Sequence, residues 1–213
     1  MPSLNEPDAP TTHTLEAAMD RLATRIRVPR EAEIYGQGDL AERLYRIVKG
    51  VVRTTCLTAD GRRLIGAFYY PGDLIGLEQG GVHRFGAEAL TDCELQAVRF
   101  GAVRAYAGDA EVDRAILKAT TGEVDRLQDH VVLLGRRSAL ERVANFLLGQ
   151  AHRAGGDEID LPMTRQDMAD YLGLTIETVS RMITQLQGEA ILEFPSIRRF
   201  HVRRWTALEA MAA

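Results

Sequence analysis

Cysteine is scarce in this chain. Cys56 and Cys93 are the two thiols among 213 residues. Neither belongs to a CxxC pair, and an iron–sulfur cluster needs about four thiolates. The histidines His13, His83, His130, His152 and His201 are scattered, with no pair at the helical spacing of zinc ligands. No metal and no cofactor is therefore expected. Long apolar runs are also missing. None approaches the roughly 20 residues of a membrane span, so no membrane partner is expected. The first residues, MPSLNEPDAPTTHT, lack a basic start followed by an apolar block and read as a loose arm rather than a signal peptide. A cytoplasmic location is the expectation, where both thiols stay reduced. Net positive charge is absent too: the formal charge is -4. That excludes binding to polyanions through overall charge but leaves room for a local basic face. Finally, there is no nucleophile–base pair, phosphate loop or recognisable carboxylate pair, so an enzyme is not expected.

What is present is enough apolar residue, 46%, for two modest domains with cores of their own. Leu15 to Thr24 is amphipathic, with Leu15, Met19 and Leu22 on one side. From Ile26 to Phe100, short β-prone pieces alternate with Gly and Asp turns: EIYGQGD, LYRIVKG, VVRTTCLTADG, RRLIGAFYYPGD, LIGLE, RFGAEAL and CELQAV. This spacing predicts a small barrel or jelly roll, with Asp60-Gly61 as its clearest hairpin turn. A short helix over Phe100 to Tyr106 follows, then a long one over Asp109 to Leu134.

In the long helix, Leu117, Thr120, Val124, Leu127, Val131 and Leu134 repeat at 3-4-3-4-3 spacing, a heptad seam. A second stripe, Val112, Ile116 and Ala119, is placed to pack on the barrel. A helix with two apolar faces has two partners. An intrachain coiled contact would also fill the seam, but no other segment carries a matching one. The simplest second partner is the same helix of another subunit, giving a parallel homodimer. Gly135 is expected to interrupt the helix, and Gly135-Arg136-Arg137 to form the domain boundary. Ser138 with Glu141 makes a capping box for the next helix, Ala139 to Arg153. Ile159 to Leu161 then reads as a short strand.

The stretch from Thr164 to Gln187, TRQDMADYLGLTIETVSRMITQLQ, holds two helical patterns around a Gly. Thr164 and Asp167 cap the first helix, and Met168, Ala169 and Leu172 share one face. Gly173 ends it, and Thr175 caps the second, which turns Val179, Met182, Ile183 and Leu186 inward. Small Ala169, turn Gly173 and the buried positions fit a helix-turn-helix. A helical hairpin with a merely solvated polar face has the same spacing. The hairpin from Ile191 to Val202 distinguishes the two: it reads as a wing turning at Pro195-Ser196, with Arg198, Arg199, His201, Arg203 and Arg204 in or after it. The outward face of the second helix carries Ile176, Glu177, Ser180 and Arg181, which are base-reading types. Thr164, Arg165, Gln166, Thr175 and Thr178 fall where phosphates are held.

The order barrel, long helix, hinge and winged helix-turn-helix resembles the Crp/Fnr family of bacterial transcription regulators, over nearly all of the chain after its arm. LPMTRQDMADYLGLTIETVSRMITQL, with Glu177, Ser180 and Arg181, is similar to the FNR and FixK branch. YPGDLIGLE followed by HRFGAEAL resembles FixK-type members. The resemblance implies an α+β fold. Its parts are an arm (1–14), a β-roll or jelly-roll domain like those that bind cyclic nucleotides (15–108), a dimerisation helix (109–135) and a winged helix-turn-helix domain (136–213). It implies a homodimeric regulator, an activator, of microaerobic and anaerobic respiration genes. Its partners would be a TTGA-type palindrome and RNA polymerase. The arm lacks the cluster cysteines of FNR itself. Where cyclic-AMP-binding members carry an Arg-Ser pair, His83 and Arg84 stand instead as a candidate effector pocket. FixK-type members generally act without a small-molecule effector. The alternative within the family is a sensor of haem or a cyclic nucleotide, with His83 or His13 as an exposed haem ligand.

Overall fold

The computed structural model describes residues 14–78, 81–136, 138–156 and 158–212. His13, Arg137 and nearly all of the predicted arm lie outside the described residues. Helix α1 (Leu15–Leu22) starts at Thr14, whose hydroxyl accepts from the Ala17 N–H at 3.1 Å. Leu15 and Met19 are buried as expected, whereas Leu22, in the last turn, is exposed.

Eight strands follow: β1 (Thr24–Val28), β2 (Glu33–Tyr35), β3 (Arg43–Lys49), β4 (Val52–Leu57), β5 (Arg63–Tyr69), β6 (Leu74–Ile75), β7 (Gly86–Ala89) and β8 (Cys93–Arg99). They form two antiparallel four-stranded sheets, ordered β1-β8-β3-β6 and β2-β7-β4-β5. Between the sheets lie Tyr35, Tyr45, Ile47, Val52, Tyr69, Ile75, Leu95 and their neighbours. The expected jelly roll is therefore present. Strand β1 is absent from the expected pieces because its face is mostly solvated; Thr24, Arg25 and Arg27 are exposed, and pairing to β8 alone defines it. The β4–β5 hairpin closes at Asp60-Gly61, with Gly61 at φ 78°. Gly50 is required at its own corner: φ is 92°, and a Cβ there would sit 2.6 Å from the Asp92 carbonyl oxygen.

Helices α2 (Phe100–Ala107) and α3 (Asp109–Arg136) come next. Val112 and Ile116 bury against α1 and the roll, as the second stripe predicts. Gly135 does not interrupt α3. One Gly costs a helix only about 1 kcal/mol, and the Arg142 guanidinium donates to the Leu134 carbonyl at 2.6 Å, satisfying an acceptor of the last turn. Helix α4 (Ala139–Ala154) has the full Ser138–Glu141 capping box. Strand β9 (Glu158–Asp160), α5 (Arg165–Leu172), α6 (Ile176–Gly188), β10 (Leu192–Ser196), β11 (Arg199–Val202) and α7 (Trp205–Ala212) complete the chain. The three strands pair in the order β10-β11-β9.

The wing turns at Ile197-Arg198, not at Pro195-Ser196. Ser196 pairs with Arg199, which leaves a two-residue loop between them, and Pro195 belongs to β10. Because β10 is an edge strand, a missing N–H is tolerated there. Helix α7 packs Leu208 into the C-terminal core and is not among the elements expected above.

The C-terminal core is not closed within residues 136–212. Leu90 and Leu133 belong to it, and Val51, Phe68 and Tyr70 of the roll pack against it. Phe68 meets both Phe146 and Tyr171, with ring centroids 5.9 and 5.3 Å apart. Arg153 lies 3.9 Å above the Tyr70 ring, whose hydroxyl donates to Gln150 Oε1 at 2.8 Å. The roll and the C-terminal lobe thus share a packed interface.

Candidate nucleic-acid interface

Helix α5 forms because Thr164 and Asp167 cap each other. The Asp167 N–H donates to the Thr164 hydroxyl at 3.0 Å, and the Thr164 N–H donates back to Asp167 Oδ2 at 2.9 Å. It ends at Gly173, whose φ of 62° strains any residue with a Cβ. Thr175 then caps α6, accepting from the Thr178 N–H at 3.3 Å. Ala169 is fully buried where α5 and α6 cross. Val179, Ile183 and Leu186 are buried and Met182 half-buried. The helix-turn-helix reading of the sequence describes the local structure residue by residue.

On the opposite face of α6, Ile176, Glu177, Ser180 and Arg181 are all exposed. Among the described residues, Arg181 has no ion-pair or hydrogen-bond partner within the chain. Its five donors stay free for an external acceptor. The Glu177 carboxyl is held below its usual range by its own backbone N–H and by the Thr175 hydroxyl, so it is an ionised acceptor at neutral pH.

The remaining predicted contacts divide. Thr175 and Thr178 sit at the start of α6, hydroxyls 3.1 Å apart. Thr164 is engaged by Asp167, and the Gln166 amide donates to Asp170 at 2.6 Å. Arg165 lies over the Phe194 ring at 4.7 Å, and burial pushes its pKa down to about 10. In the wing, Arg199 pairs with Glu158 and Asp160, and Arg203 with Glu193. The exposed turn residue Arg198 has no side-chain partner among the described residues. The wing is therefore less basic than its composition implies.

The candidate effector pair does not converge. His83 is not exposed but 2% accessible; it stacks on Tyr35 with ring centroids 3.8 Å apart, and its Nδ1 lies 3.2 Å from Glu78. Arg84 is exposed. Burial raises Tyr35 beyond the usual phenol range, so it stays a neutral neighbour.

Other residues that fix the site are not legible in the sequence. His130 of α3 stacks on Tyr171 of α5 (centroids 4.1 Å apart), and its Nε2 lies 2.8 Å from the Tyr171 carbonyl oxygen. Arg142 donates to the carbonyls of Leu134 and Leu172, stapling the ends of α3 and α5. Burial lowers the His130 pKa, more than that hydrogen bond raises it. A histidine whose folded pKa is depressed contributes stability in full above its unfolded value, near 6.5, and loses it as pH falls through the folded value. His130→Gln is expected to make the decline in urea midpoint between pH 7 and pH 5 shallower. An unchanged slope would mean that His130 titrates alike in both states.

A β roll leading through a long helix into a winged helix-turn-helix defines a DNA-binding regulator with an N-terminal β-roll domain. Comparison with known proteins supplies the family. The cyclic nucleotide-binding domain family matches residues 25–109, and the Crp-like helix-turn-helix domain family matches residues 141–211. The nitrogen fixation regulation protein FixK of Azorhizobium caulinodans is 44% identical over 197 residues, 89% of this chain and 79% of that protein. The transcriptional activatory protein AadR of Rhodopseudomonas palustris is 35% identical, over 90% of this chain and 83% of that one. The structure of FixK2 from Bradyrhizobium japonicum superposes with a TM-score of 0.85 at 44% identity, covering 90% of this chain and 98% of that one. The chain belongs to the Crp/Fnr family of transcription regulators and is of the FixK type. Its relatives are regulators of transcription and not enzymes. No helix among the described residues is long and apolar enough to cross a membrane.

Proposed function

We propose that this regulator binds TTGA-type palindromes as a homodimer and activates genes of microaerobic and anaerobic respiration through contact with RNA polymerase. The observation that carries the reading is the exposed face of α6, with Arg181 unpaired and Glu177 ionised. Arg181 donates a bidentate fork to guanine, Glu177 accepts from a cytosine amine, Ser180 reaches a base edge, and Ile176 meets a thymine methyl. Thr164, Arg165, Gln166, Thr175 and Thr178 line the phosphate side. With a net charge of -4 and few phosphate contacts, the salt dependence is real but modest. The name of AadR, a transcriptional activatory protein, supports activation. The burial of His83 and the exposure of Arg84 support action without an anionic effector at that pair.

The dimer face is the stripe on α3. Leu117 and Val131 are 67% and 68% exposed, and Val124 and Leu127 are also open, with Thr120 between them. Leu134 departs from the stripe: it is half-buried and lies beside Gly173.

Selection from random DNA tests the reading. Wild type is expected to enrich paired TTGA-type half-sites. Ile176→Arg is expected to shift enrichment toward a half-site with one more G·C pair, by about 1–3 kcal/mol, because Arg brings donors where Ile offers apolar surface. Identical enrichment by both proteins would remove Ile176 from the base-reading set.

A further inference from the structure

We infer that Arg63 and Asp170, with Arg53 and Asp167 behind them, are positioning residues that set the half-site spacing this regulator accepts. The inference rests on the proposed dimeric reading of a palindrome. The observation is an ionic dock between the β roll and α5. Asp167 is 1% exposed and uses its two oxygens differently. Oδ2 holds the Thr164 cap, whereas Oδ1 accepts from Arg53 Nη1 at 2.9 Å and from Arg63 Nη2 at 2.8 Å. Arg63 also donates to Asp170 Oδ2, through Nε at 2.8 Å. Arg53 is 6% exposed and is itself held by Glu88 and Glu31, at 2.7 and 3.0 Å. One carboxylate thus joins the folding of α5 to its seating on the roll.

The stack of His130 of α3 on Tyr171 holds α5 as well, and Arg142 of α4 ties the last-turn carbonyls of α3 and α5 together. Helix α5 is therefore fixed to both the roll and the dimer helix, while α6 projects from it with its reading face free. In a two-fold dimer, the distance and angle between the two α6 helices then follow from how α5 is seated. Charged pairs are directional, and these join α5 to the roll beside the phosphate side, where Asp170 Oδ1 accepts from Gln166, and apart from the base-reading side chains of α6. Loosening them alters the seating without altering the base-reading side chains each half-site meets. Across a dimer, a small tilt of each domain becomes a change in tolerated spacing.

The experiment measures full-length protein on palindromes with the preferred spacing, on palindromes one base pair longer or shorter, and on DNA with a single half-site, all at one salt concentration. Arg63 and Asp170 are the positions changed, because they lie nearer the surface than Arg53 and Asp167. Arg63→Gln and Asp170→Asn, in which the Asn oxygen still accepts from Gln166, are each expected to flatten the preference for the best spacing about tenfold, leave half-site affinity within about twofold, and retain a cooperative unfolding transition. Arg63→Lys, which keeps the charge, is expected to recover most of the preference. Unchanged spacing preference in both variants overturns the inference. So does an equal loss on the half-site and on every palindrome, which would make the dock a support for the helix-turn-helix alone. A wild type that binds palindromes no better than a half-site overturns the dimeric reading itself and this inference with it.

Discussion

Arg181→Ala is expected to cut preference for the specific palindrome by about thirtyfold or more while leaving non-specific DNA binding in place. The side chain is exposed on α6 and, among the described residues, has no partner within the chain. Its removal therefore unpairs nothing in the free protein, and the loss reads the DNA contact directly. A bidentate Arg–guanine pair is worth about 1–3 kcal/mol. Both half-sites lose it, so the low end is about 2 kcal/mol, or roughly thirtyfold. Arg181→Lys is expected to lose most of the same amount, because a point charge lacks the planar fork. Both variants should keep nearly the wild-type salt slope, which reports phosphates rather than bases. Gel shifts with specific and scrambled DNA, repeated over a salt series, measure both quantities. An unchanged ratio of specific to scrambled affinity would take guanine reading away from Arg181.

Local rules explain which parts of this molecule the sequence discloses. The Thr164–Asp167 and Ser138–Glu141 boxes, the Gly173 turn and the buried face of α6 depend on residues within four positions of one another, and each stands as read. The jelly roll is likewise legible from short strands between Gly and Asp corners. What escapes is set by partners far along the chain. Arg53 and Asp167 are 114 positions apart, and Arg63 and Asp167 are 104 apart. In VVRTTC, Arg53 resembles a solvent-facing residue of an alternating strand. Its burial arises because Asp167 of α5 and Glu31 and Glu88 of the roll close around it. His83 is misread for the same reason, since Tyr35 of β2 stacks over it. The wing arginines teach the converse: within a basic run, Arg199 and Arg203 become ion-paired once Glu158, Asp160 and Glu193 are brought beside them. Gly135 fails as a stop signal because Arg142 caps the carbonyl before it.

Leu127→Asp is expected to give a folded monomer that has lost palindrome binding. In the single chain Leu127 is 47% exposed, midway along a stripe that runs from Leu117 through Thr120 and Val124 to Val131. No charge interrupts these positions. Val112, Ile116 and Leu133 meanwhile turn to the roll and the C-terminal core, so α3 stays anchored whether or not a second copy is present. Covering the exposed half of one Leu contributes roughly 0.7–1.5 kcal/mol, and a two-fold axis counts it twice. An Asp at this position instead brings two carboxylates together in a drying seam. Desolvation and like-charge repulsion both oppose that. The monomer should keep its far-ultraviolet spectrum and its unfolding transition, since the substituted side chain faces outward. Its affinity for a palindrome should fall to that for a single half-site, because one helix-turn-helix makes half of the contacts. Sedimentation at micromolar concentration, beside binding to both DNAs, measures the two consequences independently. A wild type that sediments as a monomer would show that the stripe is insufficient to pair the subunits. A variant that remains dimeric would move the interface off α3.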